Sequence, residues 1–138
     1  MLKGRQVMNR ILIAATMMAG VGIVGACAAE NEQTPRKVAP PVEIAGDPVN
    51  CVQTRNIRSS KVQDDSTIDF EMVGGTVLRN ALPNSCPGLS FEGRFAHSST
   101  TGQLCNVDTV TLLYSDGRRG VSCGLGQFVP VRYKDAAS

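Results

Sequence analysis

Cysteine constrains this chain more than any other feature. There are five in 138 residues, and four of them, Cys51, Cys86, Cys105 and Cys123, lie beyond residue 50. Four cysteines in a small exported segment read as a disulfide framework, and bridges matter most where the chain is too short for a large core. Three connectivities are possible, and spacing alone does not choose among them. The ends of a domain commonly lie close together, which favours Cys51–Cys123 and leaves Cys86–Cys105. On the loop-closure model each bridge would contribute about 3–4 kcal/mol. The competing use is metal, with Cys86, His97, Cys105 and Cys123 as zinc ligands. No C-x-x-C pair is present, and ligand pairs at that spacing mark zinc and redox sites alike. Bridges are therefore expected, with no metal and no cofactor.

The fifth cysteine, Cys27, closes an export signal. Lys3, Arg5 and Arg10 precede an uncharged stretch from Ile11 to Ala29. Its apolar part runs to Val24 and ends in small residues, the pattern of a secretory leader. The run Val24-Gly25-Ala26-Cys27 resembles a bacterial lipobox. On that reading residues 1–27 hold the signal and Cys27 is acylated, becoming the mature N-terminus. Two alternatives are ordinary cleavage after Ala28 and an uncleaved membrane anchor. With Ala28 after the cysteine, sorting favours an outer-membrane anchor facing the periplasm over a soluble periplasmic or secreted protein.

Charge supports no nucleic-acid partner. The formal net charge is +2, and three of the fourteen basic residues, but none of the twelve acidic ones, lie in the leader. Eleven against twelve remain, a net charge of −1, so the mature chain carries no basic excess to meet phosphates.

Residues 28–47 contain Pro35, Pro40 and Pro41 and no aromatic residue. Such composition orders itself poorly and reads as an extended, flexible tether. The folded unit is expected over residues 48–134, with 135–138 as a frayed tail.

Within it, strand signals dominate. Thr67–Met72 alternates polar and apolar. Gly74-Gly75 follows, a two-residue turn signal, and Thr76–Leu82 returns. A two-residue turn sets Met72 opposite Val77, Phe70 opposite Arg79 and Ile68 opposite Ala81. A second hairpin turns at Asp116-Gly117, with Leu112 opposite Val121 and Val110 opposite Cys123. Further short strands are expected near 57–62, 91–97 and 128–132, and one helical turn near 85–90. The class is all-β and mostly antiparallel, a small curved sheet or a partly open barrel.

Candidate chemistry is sparse. His97 is the only histidine; Ser98 and Ser99 adjoin it, but immediate sequence neighbours on a strand point to opposite faces. Asp64-Asp65, followed by Ser66, reads as a polar turn more readily than as an acid/base pair. Asp108 suits a loop cap after Cys105. Gly117-Arg118-Arg119-Gly120 lies at a hairpin tip without the following helix that a phosphate loop needs. Gly124-Leu125-Gly126 reads as a bend. No catalytic residue is assigned.

One combination of elements is more specific. Cys51 is followed by Ile57, then Val62-Gln63-Asp64-Asp65 before Ile68 and Phe70. Asn80 and Leu82 precede Cys86-Pro87-Gly88-Leu89. Leu104-Cys105 precedes Asp108, and Cys123-Gly124-Leu125-Gly126-Gln127-Phe128-Val129-Pro130-Val131 closes the series. Across residues 51–131 the chain resembles a family of small proteobacterial cell-envelope domains, often lipoproteins, whose function is not established. The resemblance implies an envelope location and a structural role for the four cysteines. The expected function is a noncatalytic binding or structural module. It would be held at the membrane by its lipid and would meet an envelope protein or cell-wall glycan. The alternative is a small periplasmic hydrolase or metal-dependent enzyme.

Overall fold

The computed structural model describes residues 37–135. The leader, the lipobox cysteine Cys27 and the first part of the expected tether lie outside these residues. Among the described residues ten strands form three antiparallel sheets, and none of these closes into a barrel. The first sheet has the order β1 (Val42–Ile44), β10 (Phe128–Tyr133), β5 (Val77–Ala81), β4 (Thr67–Met72), β3 (Ile57–Asp64). A two-stranded ladder joins β2 (Cys51–Gln53) to β7 (Gln103–Cys105). The third sheet has the order β6 (Phe95–His97), β8 (Thr109–Leu113), β9 (Arg119–Gly124). The helical content includes a single turn, α1 (Leu89–Glu92), close to the segment expected to turn.

Alternation along the strands decides what is buried. Ile68, Phe70 and Leu78 point inward from the large sheet, where they meet Val52, Leu104, Val110, Leu112, Leu125 and Phe128. Phe70 packs edge-on against Phe128, with ring centroids 5.5 Å apart, and against Phe95 at 6.2 Å. Each such side chain, fully removed from water, contributes about 1.5–3 kcal/mol.

Both hairpins turn through three residues rather than two. Met72 N–H donates to Thr76 O and Tyr114 N–H donates to Arg118 O. These bonds leave Val73-Gly74-Gly75 and Ser115-Asp116-Gly117 as the loops. Gly75 (φ 90°) and Gly117 (φ 84°) take the positive φ that such loops require at their last position. In the first hairpin the extra residue shifts the register by one. Phe70 opposes Leu78, Ile68 opposes Asn80 and Asp69 opposes Arg79, so the expected Phe70–Arg79 and Ile68–Ala81 pairs do not form. In the second, a register shift between Thr111 and Leu113 absorbs the extra residue. Val110 therefore opposes Cys123 as expected, whereas Val121 is exposed and Leu112 lies against Gly120.

The disulfides are Cys51–Cys105 and Cys86–Cys123, which corrects the pairing expected from the sequence. The domain ends do meet, but through Val49 and Phe128, which exchange two backbone hydrogen bonds of 2.8 and 2.9 Å. The strand that closes the domain is β10, beyond Cys123. Cys123 instead faces the loop after β5, where Cys86 is fully buried.

The ordered part also begins earlier than expected. Lys37 Nζ donates to Val62 O at 2.8 Å, Ala39 N–H to Asp64 Oδ2 at 3.0 Å and Arg79 Nη1 to Pro40 O at 2.8 Å. Val42–Ile44 then pair with Val131–Tyr133, and Ala45 N–H donates to Pro130 O. Residues 37–47 thus form a strap across the sheet end and along the β10 edge. An otherwise unpaired strand edge is covered by it.

Candidate functional site

The shifted register of the β4–β5 hairpin builds the most organised polar cluster among the described residues. It sits on the outer face of the large sheet. Asp69, only 2% exposed, lies opposite Arg79. Arg79 Nε donates to Asp69 Oδ1 at 2.7 Å and Nη2 to Oδ2 at 2.9 Å, a two-pronged ion pair. Tyr133 OH, from β10, donates to Asp69 Oδ2 at 2.6 Å. Gln63 Nε2 donates to the same oxygen at 2.8 Å and to Tyr133 OH at 3.1 Å. A register shift in β3 between Val62 and Asp64 brings Gln63 to this position. The Arg79 guanidinium lies 6.0 Å from the centre of the Tyr133 ring.

Electrostatics follow from that geometry. Burial alone would raise the Asp69 pKa. The hydrogen bonds from Arg79, Tyr133 and Gln63, with the Arg79 charge, outweigh it and hold the carboxyl below its ordinary value. The hydrogen bond to Asp69 raises Arg79 against the opposing effect of its own burial. Tyr133 is raised by burial first and then by its bond to the Asp69 carboxylate, which favours the neutral phenol. Asp69 is thus an ionised acceptor of four hydrogen bonds from within the protein, one at Oδ1 and three at Oδ2.

Above the cluster is a shallow depression of about 240 Å³ lined by Ser59, Lys61, Asp69, Glu71, Val77 and Tyr133. Ile44, Val131 and Val77 continue the same sheet face by register. This face combines a partly exposed aromatic ring, charges of both signs and aliphatic side chains.

The residues singled out from sequence fall elsewhere. His97 and Asp108 line one cavity of about 340 Å³, together with Thr109, Thr111 and Arg119. Asp108 is occupied there by structure: its Oδ2 accepts Cys105 N–H at 2.7 Å, the loop cap expected of it. Asp64 and Asp65 line a different cavity of about 240 Å³ with Lys37 and Ser66. Asp64 Oδ1 accepts Ser66 N–H at 2.8 Å, the local turn bond expected, and Asp65 Oδ1 accepts Ser90 N–H at 2.8 Å. The carboxylates are not brought to the histidine as a group. Cys86, Cys105 and Cys123 are consumed in bridges and do not join His97 as a ligand set. Among the described residues no three of His, Cys, Asp or Glu gather in a metal-binding arrangement.

At the hairpin tip, Arg118 pairs with Asp116 and covers the Tyr114 ring at 5.3 Å. The Gly124–Gly126 bend has a structural use. Asn80, fully buried, donates from Nδ2 to Gly126 O at 2.7 Å and accepts Gly126 N–H on Oδ1 at 2.8 Å. A Cβ on Gly126 would stand 2.2 Å from Ala81 O.

Sequence reasoning missed Gln63, Asp69, Arg79 and Tyr133. A trace of Asp69 was present, an acidic residue in mid-strand, but its partner depends on the register. Comparison with family models, curated proteins and solved structures finds no match.

Proposed function

We propose that this chain is an exported envelope lipoprotein, anchored through Cys27 and facing the periplasm from the outer membrane. Its β domain acts as a noncatalytic binding or structural module. The outer face of the large sheet is its contact surface, and its partner is an envelope protein or a cell-wall glycan. The carrying observation is the Asp69–Arg79–Tyr133–Gln63 cluster. It spends a buried charge on stiffening an open, mixed-polarity face. Rigid support beneath an exposed aromatic is what a recognition surface requires. Two disulfides accord with an oxidising compartment.

Two measurements test the reading. Mass spectrometry of the mature N-terminus is expected to find a diacyl or triacyl group on Cys27; an unmodified terminus at Ala29 refutes the anchor. A photo-crosslinking residue at Lys61 is expected to capture a discrete envelope partner in living cells, whereas one at Ser122, on the other exposed sheet, is not. Capture at Ser122 and none at Lys61 would remove the large sheet from the proposal.

A further inference from the structure

The two disulfides differ in ways that assign them different chemistry. Cys51 and Cys105 are direct cross-strand partners in the β2–β7 ladder, with Cα atoms 4.0 Å apart. Their neighbours Val52 and Leu104, also paired, are buried in the core. Because side chains alternate along a strand, Cys51–Cys105 stands on the solvent side of the ladder, and Cys51 is exposed. Cys86–Cys123 is less accessible: Cys86 has no exposure and belongs to the core, and Cys123, partly buried like Cys105, packs against that core.

The backbone around Cys51–Cys105 is held independently of the bridge. Cys105 N–H donates to Asp108 Oδ2 and Asp108 N–H to Cys105 O. Asn106 N–H donates to Asn50 O and Thr54 N–H to Gly102 O, one on each side of the three paired residues. With Val52 and Leu104 anchored in the core, these contacts hold the ladder on both sides of the bridge.

We propose that Cys51–Cys105 is a thiol–disulfide exchange site whose substrate is a thiolate, and that Cys86–Cys123 is a purely structural staple. The incoming thiolate attacks the Cys51 sulfur, the S–S bond breaks and Cys105 leaves as a thiolate that takes up a proton. A second thiolate attacks the incoming sulfur of the mixed disulfide. It releases an external disulfide and the Cys51 thiolate, which is also protonated. The protein gains two electrons and two protons, and two external thiols become one disulfide. Held adjacency makes the reverse reaction, reoxidation by an external disulfide, equally direct. Accessible bridges are the exchangeable ones, and access here is set by which side of the ladder the sulfurs occupy.

The test uses the full-length chain. Pre-existing thiols, including Cys27 if unacylated, are first blocked with N-ethylmaleimide. Graded glutathione or dithiothreitol is then added under native conditions, and new thiols are labelled with isotopically heavy N-ethylmaleimide and located by peptide mass spectrometry. Cys51 and Cys105 are expected to label at least tenfold faster than Cys86 and Cys123, with the circular dichroism spectrum unchanged. Cys51→Ser/Cys105→Ser is expected to retain the spectrum and lose the fast phase. Simultaneous labelling of both pairs, earlier labelling of Cys86 and Cys123, or labelling of Cys51 and Cys105 only in denaturant overturns the proposal. Reaction with dithiothreitol but not glutathione still supports exchange and restricts its substrate to dithiols.

Discussion

Arg79→Met isolates the energetics of the outer-face cluster. The substitution keeps much of the aliphatic stem but removes the charge and two donors, at 2.7 and 2.9 Å, from Asp69. Tyr133 and Gln63 continue to donate, at 2.6 and 2.8 Å. Stranding a buried charge typically costs about 3–5 kcal/mol, and two surviving donors place this case near the lower end, about 3 kcal/mol. In a domain this small that corresponds to a fall in Tm of about 12–24 °C. The pH dependence carries the sharper sign. In the native protein Asp69 lies below its ordinary pKa, so its contribution is present above the unfolded value of about 3.9 and is lost as pH falls through the folded value. In the variant both Arg79 contributions are gone, so burial is opposed only by Tyr133 and Gln63 and the folded pKa lies above the native protein's. The variant therefore loses less stability than the native protein as pH falls, and the gap between the two is expected to narrow from pH 7 towards pH 4. Thermal melts followed by circular dichroism at several pH values measure it. A loss below about 1 kcal/mol at pH 7, or a gap that stays constant across that range, refutes the reasoning. Asp69→Asn/Arg79→Met removes the stranded charge and is expected to recover at least half of the loss.

Gly126→Ala places a methyl 2.2 Å from the Ala81 carbonyl oxygen; since both are backbone-fixed, soluble folded protein is expected to be lost on expression, and a normal melt would contradict the packing. Asn80→Ala leaves the Gly126 N–H and C=O without their side-chain partner and is expected to cost about 2–4 kcal/mol in urea denaturation. Tyr133→Phe is expected to cost about 1–2 kcal/mol at neutral pH. Because Tyr133 is raised above its ordinary value, the native protein loses its contribution as pH climbs through the folded pKa, and the variant's alkaline melts should lack that part of the decline.

The strands of this fold were largely legible because they alternate. Ile68 and Phe70, or Val110 and Leu112, declare one buried face each without reference to anything distant. The bends were legible too, as Gly-Gly and Asp-Gly. Their length was not. A glycine accepts positive φ in a two-residue or a three-residue loop, and the choice depends on which facing side chains are then satisfied. Asp69 opposite Arg79 is such a satisfaction, visible only once the register is known. The same limit hid the disulfides: Cys51 and Cys105 meet because β2 pairs with β7, a nonlocal ladder of three residues with no local signature. Pro40 and Pro41 suggest a loose tether, yet Pro40 O accepts from Arg79 Nη1 and Pro41 O from Lys134 N–H, long-range bonds with no local signature.

The strap also sets how the domain would behave under load. A pull applied from the N-terminal side enters at Lys37 and meets hydrogen bonds that open one after another along the β10 edge, as in a zip. The first covalent stop is Cys51. Residues 37–50, once peeled, would span at most roughly 45–50 Å, at about 3.3–3.6 Å per extended residue. Beyond Cys51 the tension passes through sulfur into β7 and the core. The Cys51–Cys105 bridge is thus a mechanical backstop, and opening it would allow the pull to pass into β2.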